Sequence, residues 1–218
     1  MNFENFYFFN GSAYAGKSTM VHLLAEKYNG IECGENYHDN YDGVLDPDEF
    51  PGLCYTRDLK DWHEFIRRTP EEYARWIDIT KKECETIELR MLEKMDTKGR
   101  KVFVDTNICP ETLHKITDRK HVMIMLAPPE ISVRRFFERP DREKQFLYQL
   151  MMEEKDPQAA LDNYRKCLEL INSQENYDYF LNCGFEVNIR DEKLGLEGTM
   201  ALIEKKLGLT ETKVQYDK

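Results

Sequence analysis

No stretch of this chain is apolar over anything near the length that crosses a bilayer, and the mean hydropathy is −0.69; a membrane-spanning helix is therefore not expected. There is no excess of basic charge either, because 31 Lys and Arg stand against 41 Asp and Glu, a formal net charge of −10. Polymeric DNA and RNA are recognised by cationic faces, so a nucleic-acid polymer is disfavoured as a partner. Six cysteines are present, Cys33, Cys54, Cys84, Cys109, Cys167 and Cys183, with no C-x-x-C pair and no histidine at zinc-ligand spacing. That removes a zinc-ribbon reading. Met1-Asn2-Phe3-Glu4 carries no basic leader segment, and reduced thiols in a cytoplasmic chain are expected. His22, His38, His63, His114 and His121 show neither triad nor metal spacing and read as structural or surface residues. Internal repeats and low-complexity tracts are also lacking.

What is present describes one domain over residues 1–218, with 41% hydrophobic residues to build a core. Phe6-Tyr7-Phe8-Phe9 is a short buried-strand pattern that stops at Asn10-Gly11. Met20, Leu23, Leu24 and Tyr28 then recur at helical spacing until Asn29-Gly30. Residues 36–69 turn rich in Asp, Tyr, Gly and Pro without periodicity before Leu59, the composition of a long functional loop or small lobe. Pro70-Glu71-Glu72 starts a long helix running to about Met95, and this helix offers a surface for a homodimer. Val102-Phe103-Val104-Asp105 and His121–Leu126 read as buried parallel strands flanking a short helix from Glu111 to Ile116. Beyond Pro128-Pro129 the chain is helical and basic, with helical patterning from Gln145 to Ile171, a last strand over Phe185–Ile189 and a last helix over Glu197–Leu207. Glu211–Lys218 has the composition of a frayed tail. Strands alternating with helices imply an α/β fold whose parallel sheet is covered on both faces, with ligands at the carboxyl ends of the strands.

Gly11-Ser12-Ala13-Tyr14-Ala15-Gly16-Lys17-Ser18, followed by Thr19, fits G-x-x-x-x-G-K-[ST] between a strand and a helix. Glycines let such a loop curl until its backbone N–H groups face phosphate oxygens. Lys17 would place a point charge on the β- and γ-phosphates of ATP, and the Ser18 hydroxyl would ligate Mg²⁺. On this loop the sequence resembles the P-loop kinases, and more narrowly the nucleoside and nucleotide kinase-like group of short ATP-dependent phosphotransferases. The resemblance implies a three-layer α/β/α P-loop NTPase fold with a five-stranded parallel sheet and a helical lid.

It also implies roles for residues outside the loop. Asp105, closing its strand, resembles a Walker B carboxylate that supports the metal opposite Ser18; Thr106-Asn107 follows where the nucleoside kinase branch often carries an acid–arginine pair. Arg134 to Arg142 resembles an arginine-rich lid over residues 134–156. Within it Arg135, Arg139 and Arg142 would share one helical face and close on the phosphates, unless Pro140 interrupts the helix. Residues 36–69 are left by elimination as the acceptor region. Glu32, Glu35 and Asp39 follow the second strand, where related kinases place a carboxylate that takes the acceptor proton; Glu35 is the first choice and Asp39 the second. Tyr37, Tyr41, Trp62 and Phe65 could stack on a base or sugar. The turn at Arg190-Asp191-Glu192 corresponds to the one that passes the adenine ring in similar kinases.

The expected activity is transfer of the ATP γ-phosphate to a small-molecule acceptor, nucleoside-like or another hydroxyl compound. An alternative is a nucleoside monophosphate kinase, in which Arg67 or Arg68 clamps the acceptor phosphate. The acidic residues around 36–69 favour a neutral or cationic acceptor instead. A different class is a regulatory ATP-binding or ATPase module that acts on a protein partner.

Overall fold

The computed structural model describes residues 3–136, 138 and 142–209. Five strands form one all-parallel sheet: β1 (Phe6–Gly11), β2 (Ile31–Cys33), β3 (Val102–Asp105), β4 (Val122–Leu126) and β5 (Glu186–Ile189), in the order β2-β3-β1-β4-β5. Phe6 pairs with Val102 and Phe9 with Asp105, while Phe8 pairs with Val122 and Gly11 with Met125. The chain leaves β1 toward β2 and afterwards always steps the other way. A constant crossover hand then places the following helices on opposite faces.

Side-chain alternation shows those two faces. Phe6, Phe8, Val102, Val104, Val122 and Ile124 pack toward Leu92 of α4 (Pro70–Glu93), Leu113 of α5 (Pro110–Ile116) and Phe180 of α9 (Gln174–Leu181). Tyr7, Phe9, Phe103, Met123 and Met125 pack toward Met20, Val21 and Leu24 of α1 (Lys17–Lys27) and Ile203 and Leu207 of α10 (Gly195–Leu207). Phe8, Phe9 and Phe103 are fully buried, and each such burial contributes about 1.5–3 kcal/mol. The arrangement is an α/β fold in three layers. Among the described residues no helix is long and apolar enough to cross a membrane, and the six cysteines stand as free thiols.

Residues 36–69 are more regular than their composition suggests. A 3-10 turn over Tyr37–Asn40 is followed by α2 (Pro51–Asp58) and α3 (Trp62–Ile66). The Glu83 carboxylate, on α4, accepts from the N–H groups of Gly52 and Leu53 at 2.8 Å each, satisfying orphan donors at the start of α2. A side chain on Gly52 would run into the Thr80 methyl at 2.8 Å. This docking depends on a partner distant in sequence, which local periodicity does not register.

Three further boundaries differ. The helical pattern from Gln145 to Ile171 is two helices, α7 (Arg142–Met152) and α8 (Pro157–Ile171), because Asp156 accepts from the Ala159 N–H and Pro157 takes the first helical position. Helix α9, capped by the Ser173 hydroxyl accepting from Asn176, was not expected at all. Glu32 lies within β2 rather than after it. Phe65 and Ile66 of α3, Tyr73 of α4, Leu150 and Met151 of α7, and Tyr164 and Leu168 of α8 form a separate helical core.

One glycine is dictated by this packing. Gly11 has φ 123°, and a Cβ there would lie 2.1 Å from the Met125 carbonyl oxygen on the neighbouring strand. Gly11→Ala is expected to destabilise the fold by about 2–4 kcal/mol, through steric overlap and backbone strain together. Urea unfolding of that variant checks this; a midpoint equal to wild type would contradict the close approach.

Candidate functional site

At the carboxyl edge of the sheet the loop after β1 turns toward one face and the chain after β3 toward the other. A crevice opens where two such crossovers diverge. The residues between Gly11 and Ser18 lie there, and three of their carbonyls are held by side-chain donors, one from within the loop and two from outside it. Lys17 Nζ donates to the Ser12 carbonyl at 3.1 Å, Ser132 Oγ to the Ala13 carbonyl at 3.0 Å, and Arg190 Nη1 to the Tyr14 carbonyl at 2.6 Å. A planar trans peptide points its N–H opposite to the preceding carbonyl. The N–H groups of Ala13, Tyr14 and Ala15 are therefore turned away from these three donors. Tyr14 and Gly16 hold left-handed φ angles of 62° and 91°, which reverse the chain into α1. The helical ladder starts with Met20 N–H on the Gly16 carbonyl, so the N–H groups of Lys17, Ser18 and Thr19 precede it and add positive potential at the same end.

Ser18 faces two carboxylates. Its hydroxyl lies 2.7 Å from Asp105 Oδ2 and 3.3 Å from Glu35 Oε2; a single proton serves one at a time, and the shorter distance favours Asp105. Burial pushes the Asp105 carboxyl above the usual carboxylate range, opposed by the Lys17 charge and the Ser18 hydrogen bond and reinforced by Glu35 and Glu88. The Ser18 hydroxyl and the Asp105 carboxylate are hard oxygen donors, which suits Mg²⁺. Among the described residues no group of three or more His, Cys, Asp or Glu forms an all-protein cage. Mg²⁺ bound with phosphates and water does not need one.

The other expected residues are scattered more widely. Asp39 is exposed on the 3-10 turn, with its carboxylate 3.9 Å from His38 Nε2. Arg135 ends α6 (Pro129–Arg135), whereas Arg142 begins α7 and is exposed. They belong to two helices, so helical spacing does not put them on one face. Arg139 and Pro140 themselves lie outside the described residues, as does the tail over Glu211–Lys218. Arg135 donates to Glu192 at 2.9 Å. It lines a cavity of about 370 Å³ with Gly16, Thr19, Arg190 and Asp191. Arg67 pairs with Glu154 at 2.7 Å, and the Arg68 guanidinium stacks over Tyr55 at 4.1 Å and Phe65 at 5.1 Å. Both arginines are engaged within the helical lobe.

A second cleft, of about 550 Å³, lies on the other side of the loop. Asn10–Ala13 and Thr106–Asn107 form its floor, and Ile77, Asp78, Lys81 and Lys82 of α4 form one wall. None of residues 36–69 lines it. Lys81 was not singled out from the sequence, and nothing local distinguishes it; it is one lysine on a long, charged helix.

Glu88 was likewise missed. It is fully buried and accepts from the Thr106 hydroxyl at 2.5 Å, the Asn107 N–H at 2.9 Å and the Asn107 amide at 2.8 Å. His38 Nδ1 lies 3.1 Å from Glu88 and Nε2 lies 3.4 Å from Cys84 Sγ. A sequence signal did exist, because Cys84, Glu88 and Leu92 fall on one helical stripe and an acid on an apolar stripe needs buried partners. This network ties α4, the 3-10 turn after β2 and the end of β3 together directly behind Asp105.

No protein-family model matches the chain, and no curated protein matches it either.

His38 supplies a pH test of the network. Burial alone would lower its pKa, but hydrogen bonds with Cys84 and Glu88, with their charges, reverse this and raise it from 6.5 to about 10. A raised folded-state pKa means stabilisation that is complete below the unfolded value and is lost as pH climbs through the folded one. Wild-type stability should therefore decline between about 6.5 and 10, and His38→Gln should lose most of that dependence. Urea midpoints across the range check it; identical slopes would remove His38 from the network's energetics.

Proposed function

We propose that this protein is an ATP- and Mg²⁺-dependent phosphotransferase of the P-loop kinase kind, nucleoside/nucleotide kinase-like, acting on a small-molecule acceptor. The observation that carries the reading is the meeting of the Gly11–Ser18 loop with the end of β3, where the Ser18 hydroxyl stands 2.7 Å from Asp105. A loop whose Ala13 and Tyr14 carbonyls are held from outside, with a lysine and a helix N-terminus, is suited to a polyphosphate. A carboxylate at the next strand is suited to its metal.

In this reading the N–H groups of the loop and the Lys17 ammonium bind and orient the β- and γ-phosphates. Ser18 and Asp105 would hold Mg²⁺, directly or through water, and the bound ion would neutralise charge on the phosphate oxygens. Arg135, beside the cavity near Gly16 and Thr19, places a guanidinium where charge needs balancing. Arg139 and Arg142 belong to the same lid proposal. Glu35, 3.3 Å from the Ser18 hydroxyl, stands nearer the loop than exposed Asp39 and is the preferred group to accept the proton of the acceptor hydroxyl.

The test is independent of the acceptor's identity. Protein, Mg²⁺ and γ-labelled ATP are incubated with a cytosolic small-molecule extract, and the label is followed by mass with Lys17→Ala as control. Label is expected on a metabolite, and Lys17→Ala is expected to lower transfer more than about tenfold. Undiminished transfer by that variant would sink the assignment. Label found only in inorganic phosphate would move the reading to a regulatory ATPase.

A further inference from the structure

Three lysines converge on the loop and the cleft beside it. Lys17 lies in the loop, and Lys81 and Lys82 stand on the α4 wall of the 550 Å³ cleft whose floor includes Asn10–Ala13. The other walls carry Asn107 after β3, Asn172 after α8, and Asn176 and Tyr179 on α9, whose side chains already donate to Glu88, the Leu168 carbonyl, the Ile171 carbonyl and Glu111 respectively. Of the two carboxylates lining it, Glu85 accepts from the Cys109 N–H at 3.1 Å and the Thr112 hydroxyl at 2.5 Å. Burial holds the Cys109 thiol up and therefore neutral at ordinary pH. Among the described residues neither Asp78, the other lining carboxylate, nor Lys81 makes a side-chain hydrogen bond or a close ion pair, although the Asp78 charge is felt at Lys81. The feature that favours an oxyanion is Lys81 itself, a cation on the cleft wall without a hydrogen-bonded carboxylate among the described residues, beside a floor formed by the Asn10–Ala13 loop.

Resting on the phosphotransferase reading, we infer that the phosphoryl acceptor is itself an anion, and that Lys81 holds its phosphate or carboxylate group in this cleft. Such a contact specifies the substrate class, since a neutral hydroxyl compound gives Lys81 nothing to pair with. It also reverses the preference for a neutral or cationic acceptor drawn from the acidic residues of 36–69, because none of those residues reaches the cleft wall. The electrostatics of the free site fit the assignment. Lys81 is exposed at the cleft in the free protein; partial desolvation lowers its pKa, the Lys17 charge lowers it further, and Asp78 opposes both. An anion between the two lysines relieves their repulsion and draws the Lys81 proton back.

Orthophosphate serves as the probe for the unidentified acceptor. It is titrated by calorimetry into protein loaded with Mg²⁺ and the non-hydrolysable analogue AMP-PNP, which already fills the γ-phosphate position. Wild type is expected to bind phosphate. Lys81→Met should weaken that binding about tenfold or more, the loss typical of a charge-assisted contact, and Lys81→Arg should restore most of it. Wild-type affinity should also fall in alkaline buffer, as the depressed Lys81 loses its proton, while Lys81→Arg keeps its affinity there. Equal phosphate binding by wild type and Lys81→Met overturns the inference. Lys81-dependent phosphate binding with Mg·ADP that disappears with Mg·AMP-PNP also overturns it, since Lys81 would then serve the nucleotide's own γ-phosphate. Failure of the phosphotransferase reading is a separate result: neither nucleotide binds wild type, and phosphate titrated into the free protein still decides whether Lys81 holds an anion.

Discussion

The direction in which the peptide groups face between Ser12 and Tyr14 underlies the candidate site. Three donors from three parts of the chain take their carbonyls: Lys17 from α1, Ser132 from α6 and Arg190 from the end of β5. Peptide planarity turns the Tyr14 and Ala15 N–H groups away from Ser132 and Arg190, and the Ala13 N–H away from Lys17. The loop is thus organised before any ligand arrives, and its geometry is inherited from the sheet, because β1, β4 and β5 set where those donors stand. Gly11 marks the tightest point of that inheritance, with the Met125 carbonyl occupying the space where a side chain would be.

Behind the loop, a buried carboxylate performs the corresponding task for β3. Glu88 collects the Thr106 hydroxyl, the Asn107 backbone and amide, and His38. A carboxyl group in so dry a position is tolerable only when its oxygens are fully partnered. Its partners lie just beyond Asp105 and just beyond β2, so the two strand ends that carry Asp105 and Glu35 are fixed relative to one another. Glu83, one turn and a half earlier on α4, fixes α2 in the same manner through the Gly52 and Leu53 N–H groups. Helix α4 therefore acts as the structural spine of the cleft and supplies Lys81 to its wall.

Much of this was legible from residue order. The strand cores Phe6–Phe9, Val102–Asp105 and Val122–Leu126 are continuous apolar runs, and a doubly covered parallel sheet demands such runs. The Gly11–Ser18 loop stands out in the sequence because its glycines, lysine and serine fall within eight consecutive residues between a strand and a helix. The remaining elements depended on partners far away in sequence. Helix α2 is held by Glu83 and α9 closes over the sheet through Phe180, and neither contact leaves a periodic trace in a short, polar segment.

The sequence by itself determined an α/β chain, the position of the Gly11–Ser18 loop between a strand and a helix, and the candidacy of Asp105, since contiguous residues encode local geometry. Only the tertiary structure decided that Ser18 meets Asp105 and Glu35, that Arg135 and Arg142 belong to separate helices, and that Lys81 rather than residues 36–69 walls the cleft. Those facts follow from how helices register across a sheet, and that register is fixed by packing between residues remote along the chain.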